Sequence, residues 1–310
     1  MDERAVAGLR TSHEVLYDAK LVDDGARLLK EAAACEAFIV RNRTQVRGDL
    51  LKALLGGKRC KVVGRLGVGL DNIDVAACEA AGLPVVPATG ANALSVAEYV
   101  VGTAMLLLRG AYQSTAAVAG GQWPRTPLSN GREIGGKTLG LVGFGSIGQL
   151  TARLARAVGM HVAAFDAMLD TDHPAYAEAG ARCAGLDEVI AMSDVVSLHV
   201  PLVDSTRGLF DAARIAAMKQ GAVLINPARG GIVDEVAVAA ALKSGHLGGA
   251  AIDVFGTEPL PKATHFEDCP NLVLTPHIAG VTAEANERVS FLIAEKVSQL
   301  LAAPGARSAR

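Results

Sequence analysis

The chain has 310 residues, with 30 basic and 32 acidic side chains and a formal net charge of −2. Half of its residues are hydrophobic and a fifth are charged. This balance excludes a disordered chain and predicts compact α/β domains, each with a core of its own. The nearly even charge argues against nucleic acid as the main partner, and the length predicts two domains.

The cysteines and the apolar segments indicate a cytoplasmic protein that does not cross a membrane. The five cysteines are an odd number and show no CxxC spacing, which predicts reduced thiols and no metal site. The N-terminal segment MDERAVAGLR has mixed charge and no apolar centre, so we expect no secretion signal. The apolar run Tyr99–Leu108 is ten residues long, too short to cross a bilayer.

The first third of the chain alternates between short apolar segments and amphipathic or alanine-rich segments. This alternation predicts a parallel sheet with helices on its faces. The predicted strands are EVLYD, AFIVRN and KVVGRLG, and the predicted helices are DDGARLLKEAAA and GDLLKALL. The opening residues predict a helix that places Ala5, Val6 and Leu9 on one face.

A long helical pattern follows and is expected to join two domains. It runs from about Ser95 to Gly120, with Ser95 as N-cap and Glu98 three residues later. Beyond a loop rich in Gly, Pro and Asn, strands are predicted at KTLGLVGFG, HVAAFD, DVVSLHVP, AVLINPA, GAAIDVF and NLVLTP. The final predicted helix, from Ala283 to about Leu301, could return to the first domain. The fold class is therefore α/β, with two doubly wound parallel sheets.

A glycine-rich turn opens the second predicted sheet. Gly143, Gly145 and Gly148 form a GxGxxG motif where a strand feeds a helix. The first glycine permits a tight turn, the second lets backbone N–H groups approach a pyrophosphate, and the third lets the helix pack on the strand. Asp166 ends the next strand, 18 residues after Gly148, where its carboxylate can accept both ribose hydroxyls. No arginine follows immediately, so NAD is favoured over NADP; the alternative is that Asp166 only caps a strand end.

Three further strands of this domain are followed by polar residues with distinct chemistry. They are Arg229 in INPARGGIVDE, Glu258 in IDVFGTEP and His277 in TPHIAG. Ligands of open parallel sheets lie beyond the carboxyl ends of the strands, so these residues can converge on one end of a bound cofactor. Arginine can pair with a carboxylate at two points, histidine can transfer a proton, and glutamate can hold the ring.

Each of these residues also has an ordinary structural interpretation. Arg229 could form a surface ion pair, Glu258 could be a turn residue before Pro259, and His277 could be a hydrogen-bonded core histidine. All three together at successive strand ends favour the catalytic interpretation. His199, in the segment SLHVP, is interpreted as structural.

The chain resembles the D-isomer-specific 2-hydroxyacid dehydrogenases over nearly its whole length. The resemblance lies in GRLGVGLDNID, NALSVAEYVVG, GKTLGLVGFGSIG, SDVVSLHVPL, NPARGGIVDE, AAIDVFGTEP and LTPHIAGVT. It implies two Rossmann-like domains with a cleft between them and a homodimer formed through the cofactor domain. Residues 1–94 plus 284–310 would be the substrate-binding domain, and residues 95–283 the NAD-binding domain.

The resemblance also implies residue roles. Arg229 would bind the substrate carboxylate, Glu258 would orient His277, and His277 would be the acid/base. Asp253 would hold the nicotinamide carboxamide. The implied cofactor-binding residues are Gly143, Gly145, Ser146, Ile147, Gly148, Asp166, Pro201, Thr206, Ala228, Asp253 and Gly280.

The first domain would supply further substrate contacts. The resemblance implies that the backbone N–H groups of Val68 and Gly69 bind the substrate carboxylate, with Asn92 also binding substrate. Arg41 and Arg65, at the ends of adjacent strands, could bind a second anionic group such as phosphate or sulfonate. The alternative for both is solvated surface charge.

The identity of the acid stays open at this point. RNRT and VVGRLG resemble phosphoglycerate dehydrogenases and other parts resemble sulfolactate dehydrogenase, while Pro227 replaces the small polar residue that phosphoglycerate enzymes often carry. Solvated charge is the preferred interpretation of Arg43.

Other activities on the same fold remain as alternatives. One is a hydroxypyruvate or glyoxylate reductase, and another is an NADH-sensing co-regulator that binds protein partners. A formate dehydrogenase is disfavoured because those enzymes pair the histidine with glutamine rather than with a glutamate such as Glu258. Members of the family also open with a short apolar strand, whereas this chain opens with a helical pattern. We therefore expect its first domain to lack the opening strand and to show a gap or a displaced strand.

Overall fold

The computed structural model describes residues 1–262 and 264–303 of the chain. Its helices are α1 (Glu3–Arg10), α2 (Gly25–Ala34), α3 (Gly48–Gly56), α4 (Val75–Ala80), α5 (Ala93–Arg109), α6 (Thr115–Ala119), α7 (Ser146–Ala157), α8 (Pro174–Glu178), α9 (Leu186–Met192), α10 (Ala212–Ala217), α11 (Glu235–Lys243) and α12 (Ala283–Ala302). Its strands are β1 (Ala37–Val40), β2 (Val62–Arg65), β3 (Val85–Pro87), β4 (Thr138–Val142), β5 (His161–Phe165), β6 (Arg182–Cys183), β7 (Val195–Leu198), β8 (Ala222–Asn226), β9 (Leu247–Ile252) and β10 (Leu272–Leu274).

The chain forms two compact units. The first unit contains Met1–Asn92 and the chain from Val281 onward, and the second contains Ala93–Gly280. The final helix, α12, packs on α1, β2 and β3, as the sequence analysis had suggested for a helix that returns to the first domain.

The first unit is built on a three-stranded parallel sheet in the order β1-β2-β3. One buried cluster includes residues of α2, α3, β1 and β2, while α12 contributes Ile293 and Val297 to a second cluster with Val62. Gly64 in β2 permits the close approach of α12, because a Cβ there would lie 2.8 Å from Cγ2 of Ile293. The two faces of the sheet are thus covered by helices, as parallel sheets require.

The N-terminal segment agrees only in part with the expectation. The predicted opening helix is confirmed as α1, with Ala5, Val6 and Leu9 buried. The predicted strand EVLYD is wrong, because residues 14–18 have no strand assignment. The described strands β1, β2 and β3 pair directly with one another, so no gap lies between these three. Residues 3–10 form α1 and not a strand, and the absence of a family-type opening strand with a gap or displaced strand stays a prediction. An apolar extended segment forms a ladder only where a neighbouring strand offers partners.

The second unit is a seven-stranded parallel sheet in the order β10-β9-β8-β7-β4-β5-β6. The chain runs outward from β4 through β5 to β6 and then returns to β7 on the other side of β4. This reversal makes a topological switch point between β4 and β7, where ligands of such sheets bind. The Rossmann-like α/β class expected from the sequence is therefore confirmed.

The strands of the second unit alternate between two buried faces. Val196 and Leu224 pack with residues of α9, α10 and α11, while Val195 and Val223 pack with residues of α5 and α7. Adjacent residues of one strand thus enter opposite cores, which explains why these strands are almost continuously apolar. Both faces are buried, and the polar chemistry is confined to the strand ends.

Two predictions for this region are corrected. The long helix ends at Arg109 instead of Gly120, because Gly110 adopts a left-handed φ of 66°. Ser95 is not the N-cap, since α5 begins two residues earlier and buries Ser95 inside its first turns. The short strands β3 and β6 were not predicted.

Among the described residues, no single helix is long and apolar enough to cross a membrane. The pair Ala93–Arg109 and Ala111–Ala119, bent by 69°, meets the length and composition requirement when its two helices are taken together.

Candidate active site

The ends of three neighbouring strands of the second unit are aligned. Asn226 of β8 is in register with Ile252 of β9, which is in register with Leu274 of β10. Arg229 and His277 each follow three residues after the end of their own strand, and Glu258 follows six residues after Ile252. The fold therefore delivers the three predicted catalytic residues to the same edge of one sheet.

His277 and Glu258 form a direct pair. Nδ1 of His277 lies 2.8 Å from Oε2 of Glu258, and the two side chains are 40% and 34% exposed. The other carboxylate oxygen, Oε1, accepts a hydrogen bond of 3.0 Å from the backbone N–H of Phe255. The glutamate is thus fixed at one oxygen and orients the histidine ring with the other.

The backbone of His277 has an unusual conformation for a residue other than glycine. Its φ is 57°, in the left-handed region. This backbone conformation costs free energy for any residue that carries a Cβ atom. The backbone N–H of His277 donates to the carbonyl oxygens of Asp253, at 2.8 Å, and Thr275, at 3.0 Å. Backbone hydrogen bonds to the end of β9 therefore help to hold the strained residue in place.

Asp253, expected to hold a nicotinamide carboxamide, has a buried side chain that is occupied by the protein itself. Its Oδ1 accepts hydrogen bonds from the hydroxyl of Thr275 at 2.6 Å and the N–H of Ile278 at 2.8 Å. Its Oδ2 accepts one from the N–H of Ala279 at 2.9 Å. Asp253 is 1% exposed, so its visible role is to tie the loop on both sides of His277 to β9.

Arg229 is positioned by a loop that Asn226 shapes. The Asn226 side chain is 1% exposed; its Oδ1 accepts from the N–H of Ala228 at 3.1 Å and its Nδ2 donates to the carbonyl of Arg229 at 3.0 Å. The guanidinium of Arg229 donates to the carbonyl of Ala228 at 2.6 Å. A buried asparagine therefore fixes the turn from which the arginine projects.

The glycine turn between β4 and α7 fits a dinucleotide pyrophosphate. A Cβ at Gly143 would lie 2.6 Å from the carbonyl oxygen of His199, and one at Gly148 would overlap the carbonyl oxygen of Gly143. Helix α7 begins at Ser146, with Ile147 next, and its N-cap, Gly145, supplies no side-chain cap. The first-turn N–H groups of a twelve-residue helix are therefore left for an anion.

Asp166 links the glycine turn to the end of β5. Its Oδ2 accepts from the N–H of Phe144 at 2.7 Å and its Oδ1 from the N–H of Met168 at 2.8 Å. A carboxylate has about four lone-pair sites, so each oxygen keeps capacity for a ribose hydroxyl. With the uncapped helix, this carboxylate gives the turn the two features that NAD requires.

The remaining predicted cofactor residues lie in loops after the strands. The Thr206 hydroxyl donates to the carbonyl of Pro201 at 2.6 Å and accepts from the N–H of Val203 at 2.8 Å, which closes the loop that follows β7. Ala228 is 8% exposed in the loop after β8, and Gly280 lies in the turn after His277. These positions thus lie in the loops that follow β7, β8 and β10.

The surroundings of His199 agree with a structural role. Its Nε2 lies 3.1 Å from the hydroxyl of Ser197, and burial lowers the pKa of its ring to about 4. The ring is therefore neutral at neutral pH.

In the first unit, Arg65 and Arg41 are joined through a buried asparagine. The Nε of Arg65 donates to Oδ1 of Asn72 at 3.2 Å, while Nδ2 of Asn72 donates to the carbonyl of Arg41 at 2.9 Å. The guanidinium of Arg41 donates to Oδ1 of Asn286 at 2.6 Å. Arg65 is in register with Val40, so both arginines lie at the carboxyl edge of the sheet.

The other predicted substrate contacts of this unit also offer polar groups. Within the described part of the chain, the backbone N–H groups of Val68 and Gly69 donate to no protein acceptor. The Oδ1 atom of Asn92 is buried and has no hydrogen-bond partner among the described residues. Unsatisfied buried polar atoms are uncommon in native proteins, so Oδ1 of Asn92 is a candidate for a ligand contact, and the partly exposed N–H groups of Val68 and Gly69 have hydrogen-bonding capacity left for one.

Arg43 instead forms an exposed ion pair with Asp23, in agreement with its interpretation as surface charge. In residues 1–262 and 264–303, no cluster of three or more His, Cys, Asp and Glu side chains could hold a metal ion.

The sequence analysis missed two residues that shape the site, Asn226 and Asn72. Both are nearly fully buried amides. For Asn226 the signal that could have revealed it is an asparagine at the end of an apolar strand, where a buried amide must be hydrogen-bonded. Asn72 lies seven residues beyond β2 and carries no such local signal.

A histidine–glutamate pair, an arginine after the end of a neighbouring strand and an uncapped glycine turn on one doubly wound sheet are features expected of a nicotinamide-dependent dehydrogenase. Comparison with known families gives the same class. A family model described as the D-isomer specific 2-hydroxyacid dehydrogenase NAD binding domain matches residues 101–279. The chain belongs to the D-isomer specific 2-hydroxyacid dehydrogenase family and is an NAD-dependent 2-hydroxyacid dehydrogenase.

Three similar proteins are named as dehydrogenases or reductases of small acids. The chain is 50% identical to the (S)-sulfolactate dehydrogenase of Chromohalobacter salexigens, over 97% of this chain and 96% of the relative. It is 40% identical to the hydroxypyruvate reductase of Thermotoga maritima, over 96% and 94%. It is 39% identical to the D-3-phosphoglycerate dehydrogenase of Mycobacterium leprae, over 90% of this chain but 52% of that protein, so it spans about half of the phosphoglycerate enzyme.

A solved structure supports the same assignment. The NAD-dependent formate dehydrogenase of Staphylococcus aureus, in complex with NAD, superposes with a TM-score of 0.81 at 29% identity. The match covers 97% of this chain and 88% of that structure.

Proposed function

We propose that this enzyme interconverts a 2-hydroxy acid that bears a second anionic group and the corresponding 2-oxo acid, with 3-sulfolactate and sulfopyruvate as the favoured pair. The observation that carries the chemical part is the 2.8 Å pair of His277 and Glu258 at aligned strand ends that also carry Arg229. The second anionic group is supported by the linked Arg41 and Arg65, and its sulfonate identity by the 50% identity to an (S)-sulfolactate dehydrogenase.

The geometry supports the following roles for the candidate catalytic residues. Bound at the glycine turn and Asp166, NAD would supply hydride transfer between the cofactor and the 2-carbon of the substrate. Since Nδ1 of His277 faces Glu258, its Nε2 is the atom that gives a proton to the substrate oxygen in reduction and takes it in oxidation. Arg229 pairs with the substrate carboxylate.

The residues of the first unit supply the remaining substrate contacts in this proposal. The backbone N–H groups of Val68 and Gly69 bind the carboxylate, and Asn92 donates or accepts through its side-chain amide. Arg65 and Arg41 bind the sulfonate or phosphate through charge-assisted hydrogen bonds, which are stronger than neutral ones. In the cofactor, Asp166 binds the adenosine ribose, and the turn of Gly143, Gly145 and Gly148 receives the pyrophosphate.

His277 is tested by two substitutions. His277→Ala should lower kcat at least roughly a hundredfold, the usual effect of losing a general acid. The affinity for NADH should stay nearly unchanged. His277→Asn should do the same, and it serves as a control because asparagine tolerates the left-handed φ that His277 adopts. Wild-type turnover in either purified variant would refute the role of His277.

The substrate is tested by a screen of NADH oxidation across sulfopyruvate, phosphohydroxypyruvate, hydroxypyruvate and glyoxylate. We expect the highest kcat/KM for sulfopyruvate. A preference for phosphohydroxypyruvate would support a pocket for a second anionic group but would identify that group as a phosphate instead of a sulfonate. A preference for hydroxypyruvate or glyoxylate would refute the second anionic group, and no turnover of any substrate would favour the NADH-sensing alternative.

We further propose that the enzyme acts in the cytoplasm as a homodimer formed through its NAD-binding unit, without nucleic acid or membrane partners. The proposal is supported by the formal net charge of −2 and by free cysteines throughout the described chain. Sedimentation of the purified enzyme at micromolar concentration should give twice the mass of the chain, and a monomer would contradict the proposal.

A further inference from the structure

The side chain of Tyr99 is a partly buried polar group to which the proposed reaction assigns no role. It projects from α5 in the second unit, and its hydroxyl oxygen lies 2.8 Å from Oγ1 of Thr275, at the end of β10. A buried tyrosine hydroxyl normally has a partner. Here the partner is two residues from His277.

The direction of this hydrogen bond is fixed by the next one. Thr275 has one hydroxyl proton, and it donates that proton to Oδ1 of Asp253 at 2.6 Å. Thr275 must therefore accept from Tyr99. Burial raises the pKa of Tyr99 to about 12, so the tyrosine keeps its proton and remains a donor at neutral pH.

The chain of hydrogen bonds ends at the carboxylate that holds the loop around His277. Besides Thr275, Asp253 receives the N–H groups of Ile278, at 2.8 Å, and Ala279, at 2.9 Å. Its carboxylate is thus bonded on both sides of His277, whose backbone is held in the strained left-handed region. Such a conformation persists only where its surroundings determine it.

We propose that Tyr99 is a positioning residue for His277 and acts through Thr275 and Asp253. Its hydroxyl fixes the rotamer of Thr275, Thr275 fixes one oxygen of Asp253, and Asp253 sets the path of the loop that aims the ring. The inference rests on the proposed function, in which His277 transfers the proton. Tyr99 itself touches neither His277 nor Glu258 in the hydrogen-bond network, so its effect is indirect.

The first test is Tyr99→Phe, which removes one oxygen atom and keeps the ring. We expect kcat to fall about fivefold to tenfold, the effect of one lost hydrogen bond on a catalytic geometry. The dissociation constant of NADH should stay within about twofold, because the glycine turn and Asp166 are unchanged. An unchanged kcat would overturn the proposal.

The second test is a double-mutant cycle with His277→Asn, which separates an effect through His277 from a general loss of structure. If Tyr99 acts through His277, adding Tyr99→Phe to His277→Asn should leave the residual kcat unchanged. An equal fold-loss in both backgrounds would overturn the proposal. Wild-type turnover in the single variant His277→Asn would refute proton transfer by His277 and, with it, the positioning role of Tyr99. This result is distinct from a failure of the Tyr99 proposal alone, because it is measured without the Tyr99 substitution.

Three further variants test the route through Thr275. Thr103→Val removes a hydroxyl one turn further along α5 that donates only to backbone carbonyls of the same helix, so it should leave kcat unchanged. Thr275→Ser keeps the relaying hydroxyl and should retain most of the activity, whereas Thr275→Val should match or exceed the loss in Tyr99→Phe. Full activity in a folded Thr275→Val enzyme would overturn the relay.

Discussion

The side chain of Arg65 is held by hydrogen bonds in a position that suits it to bind an anionic group. Its Nε bonds to the buried Asn72, and its NH1 donates to the carbonyl of Leu66 at 2.5 Å. An arginine that is already ordered loses little side-chain entropy when it binds an anion. This preorganisation favours recognition of a sulfonate or phosphate over a role as mobile surface charge.

The prediction for Arg65 compares two substrates. Arg65→Ala should lower kcat/KM for sulfopyruvate roughly tenfold to a hundredfold more than for glyoxylate, because a charge-assisted hydrogen bond of about 1.5–3 kcal/mol is lost with the larger substrate alone. Arg43→Ala is the matched control, since Arg43 pairs with Asp23 at the exposed surface. Equal losses for both substrates would mean that Arg65 shapes the pocket without contacting the second anionic group.

His199 links stability to pH. Its pKa is about 4 in the folded protein, below the ordinary 6.5, because burial disfavours the charged ring. The unfolded chain binds this proton below pH 6.5 and the folded chain does not. The stabilising contribution is therefore present above about pH 6.5 and is lost as pH falls towards 4.

Replacing His199 tests this linkage. The free energy of unfolding of the wild type should fall between pH 7 and pH 5, and His199→Gln should show a smaller fall over the same interval. Urea unfolding at the two pH values measures both, with the interval from pH 8 to pH 7 as the internal reference. Identical pH slopes for the two proteins would show that His199 does not contribute.

At the scale of elements, the contact between β4 and α7 depends on the absence of a side chain at Gly148. A Cβ there would overlap the carbonyl oxygen of Gly143. Gly148→Ala should therefore displace the start of α7 and weaken NADH binding at least tenfold, because the pyrophosphate loses its aligned N–H groups. Fluorescence titration with NADH measures the loss.

Gly102→Ala is the control for that substitution. Gly102 lies within α5, and a Cβ there would meet no atom within 4 Å. Alanine is the better helix former by about 1 kcal/mol, so this variant should bind NADH normally and melt at an equal or higher temperature. Similar NADH affinities in both alanine variants would contradict the role of Gly148.

The second sheet and its chemistry were predictable because the pattern is local. Each strand is a short apolar run, and GxGxxG, Arg229, Glu258 and His277 follow such runs directly. The break at Gly110 was missed because the alanine-rich pattern continues beyond it, and β6 was missed because two residues carry no period. EVLYD was wrongly predicted as a strand since periodicity does not reveal whether a pairing partner exists.

The hydrogen bonds that organise the site were beyond prediction from the sequence. Tyr99 and Thr275 are 176 residues apart in the chain, and Arg65 and Arg41 are joined by a third residue, Asn72. Partners at such distances depend on how the helices and strands pack. The sequence therefore indicated candidate site residues but not the hydrogen bonds that hold them.

At the scale of the whole molecule, the two units have separate cores. The buried cluster that contains Ile293 draws its members from the first unit, whereas the clusters under the large sheet draw theirs from the second. Ile293→Ala removes a fully buried side chain and should lower the free energy of unfolding of the first unit by about 2–5 kcal/mol. NADH affinity at 25 °C should not change.

Calorimetry and NADH titration check this together. Glu295→Ala, two residues along the same helix and exposed, is the control and should shift neither quantity. A large loss of NADH affinity in Ile293→Ala would show that the two units do not fold as independent cores.

The first unit is discontinuous in the chain, because the second unit is inserted before α12. A ribosome that has completed β3 at Pro87 must synthesise 195 further residues, 88–282, before α12 begins at Ala283. At about 5–20 residues per second, that delay is roughly 10–40 seconds. Throughout it, the β2 face that Ile293 and Val297 later cover has no helix to bury it. The first unit thus carries an uncovered apolar sheet face until α12 leaves the exit tunnel, whereas every strand of the inserted unit's sheet has been synthesised before α12 begins.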